Sequence, residues 1–361
     1  MECSPASRTA IRNVIQATRN WALIGRYRRC GSALRSWIVA YFDLALDDLW
    51  NFQPELKEPA GFDAFWAGTL AEARRSAAPA VLTDVATPLR TIETTDVTFS
   101  GYGGQPVKAW LNRPAGVSGP LPVVVEFIGY GGGRGLPLDW LLWACAGYAH
   151  LVMDTRGQGG GWRGGDTPDA DGPDAGPSAP GFVTRGVQTP ETYYYRRLVT
   201  DAVRAVETAA ELPGVDPTRI AVAGTSQGGY LSIAAVGLLG ERVSAVAAGV
   251  PFLCHVRRSI TITDADPYAE LVRFLRVNPH RAEQVLATMD HVDAVHFARR
   301  VTAPVIVSAA LMDATCPPSG IFAAYHALPG EKRIEVYEWD GHEGGRGFFQ
   351  QQALEFVGAR M

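Results

Sequence analysis

The sequence predicts an α/β protein built on a mostly parallel, doubly wound sheet. Short apolar segments alternate with helical segments through most of the chain, which is the pattern of βαβ units. Several of the apolar segments have hydrophobic residues at consecutive positions, as in strands that are covered on both faces. The chain has 361 residues, of which 47% are hydrophobic, so it can bury one large core.

An N-terminal helical and hairpin extension is predicted ahead of the parallel sheet. Residues 42–78 carry apolar side chains at helical spacing. Two β-type segments, 92–99 and 107–111, are separated by a glycine-rich stretch and predict an antiparallel hairpin.

The remaining elements alternate up to the C-terminus. Strands are predicted at 123–128, 148–153, 220–223, 246–250, 305–309 and 334–339. Helices are predicted at 136–146, 193–212, 228–239 and 348–359. Residues 254–300 are mostly helical and interrupt the alternation, which predicts a helical cap insertion. Residues 163–188 are rich in Gly, Pro and Asp and are predicted to form a long surface loop.

Residues 1–38 contain seven arginines and one acidic residue. They have no clean apolar stretch or small-residue cleavage site, so a secretory signal fits poorly. We interpret them as a disordered or artificial extension ahead of a 39–361 domain, with Val39 as the start of translation.

Composition argues against several partners. The formal net charge of -4 provides no basic field for nucleic acid, and no apolar run reaches the roughly 18 residues of a membrane span. Five widely spaced cysteines without a C-x-x-C pair argue against a disulfide framework or a zinc site. This cysteine usage predicts a reducing, cytoplasmic compartment. Cys145 and Cys254 lie in apolar stretches and are predicted to be buried.

The segment Gly224-Thr225-Ser226-Gln227-Gly228 matches the pattern G-x-S-x-G. It lies between a predicted strand and a predicted helix, the context in which a sharp turn displays the serine hydroxyl at the end of a sheet. The residues two positions before and after the serine must be small because the tight turn leaves little room for a Cβ atom. The alternative is a structural serine in a tight turn.

A serine nucleophile needs a base, and His342 is the candidate. It follows the last predicted strand in W-D-G-H-E, whereas the other six histidines lie in predicted helices or strands. Asp313 follows the strand 305–309 and is the candidate acid that orients the histidine. The order Ser226, Asp313, His342 is that of the α/β-hydrolase fold. A turn-forming role for Asp313 and a structural role for His342 are the alternatives. Asp340 and Glu343 are too close to His342 in sequence to reach its far ring nitrogen, and they are expected to shape the turn.

Two backbone N–H groups are candidates for an oxyanion hole. The first is that of Gln227, at the start of the helix after the serine, and the second is that of Tyr130, in the glycine-rich loop after the strand 123–128. The alternative for this loop is simple flexibility.

The glycines at 159, 161 and 164 fit a dinucleotide-binding pattern, but no predicted helix opens there. His342-Glu343 lacks the second histidine of a zinc motif, so neither a metal nor another cofactor is predicted.

With these residues in hand, the chain resembles the acetyl xylan esterase/cephalosporin C deacetylase family of carbohydrate esterases from about Phe42 to the C-terminus. The segments that carry the resemblance are I-G-Y-G-G-G-R-G (128–135), D-T-R-G-Q-G (154–159), G-F-V-T-R-G (181–186), E-T-Y-Y-Y-R-R (191–197), G-T-S-Q-G-G (224–229), D-A-T-C-P-P (313–318) and G-H-E (341–343).

The resemblance implies O-deacetylation of small acetylated sugars and of cephalosporin C without a metal, in a ring-shaped homohexamer. It places the family's catalytic residues on Ser226, Asp313 and His342. It implies that Arg156, Gly157 and Gln158 form a turn that supports the site without reacting. The remaining alternatives are a peptidase or longer-chain esterase of the same fold, and a catalytically inactive binding protein.

Overall fold

The structure is a computed structural model that describes residues 41–169 and 176–361. The predicted extension at residues 1–38 lies outside the described residues. Within the described part, a nine-stranded sheet runs through the molecule in the order β1-β2-β3-β5-β4-β6-β7-β8-β9. The strands are β1 (Val81–Val85), β2 (Ile92–Ser100), β3 (Pro106–Pro114), β4 (Leu121–Phe127), β5 (Ala149–Met153), β6 (Val215–Thr225), β7 (Ala245–Gly249), β8 (Val305–Ala310) and β9 (Lys332–Tyr337).

The six strands from β5 to β9 in this order are parallel, and β1, β2 and β3 are antiparallel to their neighbours. The predicted α/β class, the mostly parallel sheet and the hairpin formed by β2 and β3 are therefore confirmed.

Helices cover both faces of the sheet. They are α1 (Leu46–Asn51), α2 (Phe62–Arg75), α3 (Leu142–Cys145), α4 (Tyr194–Ala209), α5 (Gln227–Leu239), α6 (Val256–Ile262), α7 (Tyr268–Val277), α8 (Ala282–Asp290), α9 (Ala294–Ala298), α10 (Pro318–Ala327) and α11 (Arg346–Gly358). Helices α6 to α9 correspond to the predicted insertion between β7 and β8.

Side chains that alternate along the central strands divide the core in two. Val123 and Val125 of β4 pack into the larger cluster with α4 and α5, whereas Val124 packs into a smaller cluster with α11. Because successive strand residues point to opposite faces, consecutive apolar residues serve both clusters. This explains the continuous apolar runs in the sequence.

Several expectations were wrong in detail. Residues 136–146 form a 3₁₀ turn and the short helix α3 instead of one long helix, and Cys145 is exposed at its end. Residues 163–188 are only partly a surface loop, because Asp169 and Phe182 are buried within the segment. Strand β1 and helix α10 were not predicted.

None of the helices in the described residues is both long enough and apolar enough to cross a membrane.

Candidate active site

The turn that carries Ser226 joins β6, in the middle of the sheet, to α5. Ser226 has φ 61° and ψ -119°, a strained backbone conformation for a residue with a side chain. The two glycines that flank the turn are required by close approach: a Cβ atom on Gly224 would lie 2.4 Å from the backbone of Gly228, and one on Gly228 would lie 2.1 Å from the carbonyl oxygen of Phe127. The turn therefore presents the serine hydroxyl beyond the carboxyl end of the strand.

The structure brings the three predicted residues together from distant parts of the chain. His342 Nε2 lies 2.9 Å from Ser226 Oγ, and His342 Nδ1 lies 2.9 Å from Asp313 Oδ2. A carboxylate can only accept, so Nδ1 carries the proton and Nε2 is free to accept the serine hydroxyl's proton. These contacts form one continuous hydrogen-bond chain.

Asp313 is fully buried, and its second oxygen is also occupied. Oδ1 accepts the backbone N–H groups of Thr315 and Cys316, each at 2.8 Å. These two bonds fix the carboxylate plane so that Oδ2 faces the imidazole. Neither rival acid contacts the ring: Asp340 accepts the N–H of Gly345, and Glu343 pairs with Arg346. Both shape the turn after His342.

Of the two predicted oxyanion donors, one follows the serine directly in the chain and the other belongs to a residue that lines the same cavity. The N–H of Gln227 stands at the N-terminus of α5, where the helix dipole favours a negative charge. Tyr130 lies in the loop after β4 and lines the same cavity as Ser226. Among the described residues, the N–H groups of Tyr130 and Gln227 donate no hydrogen bond, which leaves both available for a ligand.

Gln158 links the two predicted donors. Its Oε1 accepts the N–H of Gly131 at 2.6 Å, and its Nε2 donates to Gln227 Oε1 at 2.9 Å. Gln227 Nε2 in turn donates to the carbonyl of Ile128 at 3.1 Å. The buried hydroxyls of Tyr194 and Tyr195 complete this network by contacting Gln158 and Gln227, respectively. The network fixes the loop after β4 against the turn that carries Ser226.

Arg156 and Gly157 lie behind this network, away from the cavity. Arg156 is fully buried and forms a bidentate ion pair with Asp201 of α4, while Tyr194 donates to its carbonyl at 2.7 Å. Gly157 has φ 65°, and a Cβ atom there would lie 2.8 Å from the side chain of Asp169. These contacts anchor the turn that carries Gln158.

A cavity of about 570 Å³ opens above Ser226 and His342. Residues that sequence reasoning missed line much of it: Glu126, Trp140, Trp162, Arg163, Asp266 and Glu270. The guanidinium of Arg163 lies over the rings of Trp140 and Trp162, at 4.5 and 5.0 Å from their centres. Trp162 also donates its indole N–H to the carbonyl of Tyr130 at 2.8 Å. The only sequence signal for this side of the cavity was Trp162, an exposed tryptophan in a glycine-rich loop.

Within residues 41–169 and 176–361, one group of side chains has the proximity needed to hold a metal ion. Asp313, Cys316 and His342 have potential ligand atoms within 4.8 Å of one another. Both ring nitrogens of His342 already have hydrogen-bond partners in Ser226 and Asp313. Burial raises the pKa of the Cys316 thiol and disfavours the thiolate that binds metals. This donor set therefore fits the serine–histidine–aspartate arrangement better than it fits a metal.

The sheet order, the turn after β6 and the positions of Asp313 and His342 define a protein of the α/β-hydrolase fold. The family model described as acetyl xylan esterase (AXE1) matches residues 39–359. The chain belongs to this family, which makes it a carboxylic ester hydrolase.

Individual relatives agree with this assignment. The structure of an acetyl xylan esterase from Paenibacillus sp. R4 is 37% identical, with a TM-score of 0.80 over 88% of this chain and 100% of that one. Acetyl xylan esterase 1 from Thermoanaerobacterium sp. JW/SL YS485 is 30% identical, with a TM-score of 0.77 over 87% and 98%. The acetyl esterase Axe7A of Xylanibacter ruminicola is 28% identical over 81% of this chain, which spans 66% of that relative's length.

Proposed function

We propose that this protein is a serine esterase that removes O-acetyl groups from small acetylated carbohydrates such as xylo-oligosaccharides, and from esters such as cephalosporin C. The observation that carries the proposal is the unbroken hydrogen-bond chain from Ser226 through His342 to the buried Asp313, at the floor of an open cavity. The acetyl esterases to which the chain is similar support the choice of acyl group.

The proposed first step forms an acetyl-enzyme. His342 Nε2 takes the proton of Ser226 as Oγ attacks the acetyl carbonyl carbon. The carbonyl oxygen becomes an oxyanion that accepts hydrogen bonds from the N–H groups of Tyr130 and Gln227. His342 then gives its proton to the alcohol oxygen, the C–O bond breaks and the alcohol leaves. Asp313 stabilises the imidazolium while it carries the proton.

The second step releases acetate. His342 removes a proton from water as the water oxygen attacks the acetyl carbon, and the oxyanion forms again in the same place. When it collapses, the proton returns to Ser226 and acetate departs. The same groups serve both steps.

The test is acetate release from acetylated xylo-oligosaccharides and from cephalosporin C, with three matched variants. We expect Ser226→Ala to lower kcat by about 10⁴-fold or more, and Asp313→Asn to lower it by about 10⁴-fold because the histidine would take the wrong tautomer. Asp340→Asn is the control and should retain kcat within about twofold of the wild type, since Asp340 only shapes the turn.

Near wild-type turnover by Ser226→Ala would overturn the mechanism. A series of p-nitrophenyl esters addresses the related enzymes, because a preference for long acyl chains would identify a longer-chain esterase. Failure of Ser226 to react with a fluorophosphonate probe would favour an inactive binding protein.

We also propose that the enzyme is cytoplasmic and forms a homohexamer. The first proposal is supported by the free thiols of Cys145, Cys254 and Cys316. The second rests on the family resemblance of the sequence. Light scattering after size-exclusion chromatography would test the assembly, and a monomer would contradict it.

A further inference from the structure

The side chain of Tyr130 is anchored at the end that points away from its backbone. Its hydroxyl donates to Glu270 Oε2 at 2.7 Å and accepts the N–H of Phe182 at 2.8 Å, with the N–H groups of Gly181 and Val183 at 3.2 and 3.3 Å. Glu270 lies in the first turn of α7, inside the helical insertion. One tyrosine thus connects the loop after β4 to the insertion.

The direction of this hydrogen bond is well defined. Burial raises the pKa of Tyr130 far above its ordinary value, so the phenol keeps its proton and donates it. Burial also raises the pKa of the Glu270 carboxyl, while the tyrosine hydroxyl acts in the opposite sense. Asp266 and Arg273 are the charged groups that act on Glu270 alongside Tyr130, and they pair with each other at 2.7 Å.

Aromatic packing brings the same helix to the serine. The ring centres of Tyr268 of α7 and Phe252 are 4.8 Å apart, and those of Phe252 and Tyr130 are 6.2 Å apart. The N–H of Phe252 donates to the carbonyl of Ser226 at 3.0 Å. Helix α7 therefore contacts the supports of both the nucleophile and the predicted oxyanion donor.

We infer that Glu270 is a positioning residue: by holding the hydroxyl of Tyr130, it fixes the direction of the Tyr130 backbone N–H and links the helical insertion to the oxyanion hole. The inference rests on the proposed function, because that N–H acts only if an oxyanion forms. Glu270 need not touch the reacting atoms. Glu270 should affect the stability of the transition state, where the hydrogen bond from the Tyr130 N–H to the oxyanion is strongest, and not the binding of the substrate in the ground state.

Kinetics on p-nitrophenyl acetate would test this. We expect Glu270→Ala to lower kcat by about tenfold, with KM within about twofold of the wild type. A displaced donor should reduce kcat by less than the complete removal of that donor would. Glu270→Gln keeps an acceptor for the tyrosine and should restore most of kcat. Glu283→Ala is the control: Glu283 belongs to the same insertion but pairs with Arg257, and kcat should not change.

A double-mutant cycle with Tyr130→Phe makes the test specific. Tyr130→Phe keeps the backbone N–H but removes the hydroxyl, so adding Glu270→Ala in that background should cause no further loss. A trifluoromethyl ketone, which forms an oxyanion on Ser226, should bind Glu270→Ala more weakly by the same factor as kcat/KM falls.

Three results would overturn the inference: an equal loss of kcat from Glu270→Ala with and without Tyr130→Phe, an effect confined to KM, or no rescue by Glu270→Gln. Far-ultraviolet circular dichroism of each variant separates misfolding from mispositioning. Failure of the proposed function would look different, because the wild type would then hydrolyse the ester without needing Ser226.

Discussion

The turn that carries Ser226 and the loop that carries Tyr130 are held in place by different kinds of interaction. The turn is fixed by steric exclusion, because Gly224 and Gly228 approach their surroundings so closely that no side chain fits. The loop is fixed by hydrogen bonds that it donates to Gln158 and Glu270 and accepts from Trp162, which lie well separated from it along the chain.

The difference teaches how each region should fail. Closely packed backbone atoms cannot move away from an added side chain, so a substitution that creates a clash with them cannot be partly accommodated. A set of separate hydrogen bonds can lose one member and keep approximate geometry. We therefore expect changes in the turn to abolish folding or activity, and changes around the loop to reduce the rate by degrees.

The largest effect is expected for Gly228→Ala. The added Cβ atom would lie 2.1 Å from the carbonyl oxygen of Phe127. We therefore expect the unfolding free energy to fall by more than about 3 kcal/mol and the activity to be lost. Gly68→Ala is the matched control, because a Cβ atom in that part of α2 meets nothing within 4 Å. It should stabilise the protein by about 0.5–1 kcal/mol. Urea denaturation of both variants measures this, and a soluble, active Gly228→Ala would show that the turn can adapt.

An intermediate effect is expected for Gln158→Leu. This change leaves the N–H of Gly131 without a partner and removes one of the hydrogen bonds of the Gln227 side chain, so kcat should fall by about 10- to 100-fold as both predicted donors loosen. Gln351→Leu on the exposed face of α11 should leave kcat unchanged. If kcat fell as far as in Ser226→Ala, the loop would be no more tolerant than the turn.

The smallest effect is expected from acid, through the insertion that anchors the loop. Burial lowers the pKa of His255 and His296 to about 4 and raises the pKa of Asp293 to about 6. Between pH 6.5 and 4 the unfolded chain takes up protons on both histidines that the folded chain resists, which lowers the unfolding free energy as the pH falls. Asp293 acts in the opposite sense, because its folded form takes up a proton first.

For these three groups together, the two histidines outweigh Asp293, and their combined contribution is a loss of about 1–2 kcal/mol over this range, allowing for solvent screening. Denaturant titrations at a series of pH values measure it. His296→Gln should flatten the slope, while His280→Gln, at an exposed site, should not. A slope that His296→Gln leaves unchanged would contradict the assignment.

The sequence could predict the parts of the site that depend on local pattern. Ser226 was found from its turn, and Asp313 and His342 from their places after successive strands. Glu270 could not be found, because its partner Tyr130 is 140 residues away and a hydrogen bond over that distance leaves no periodic signal. The same holds for the pairing of Arg156 with Asp201. Strand β1 was missed because four of its five residues are exposed and show no alternation.

The backbone of Ser226 has a lasting consequence. A residue held at this φ and ψ costs the folded chain on the order of 1–3 kcal/mol, which a glycine at the same position would not. A glycine would give a more durable molecule that could not attack an ester. Selection of variants of this protein for thermostability alone would therefore favour inactive ones, so turnover must be measured as a second criterion.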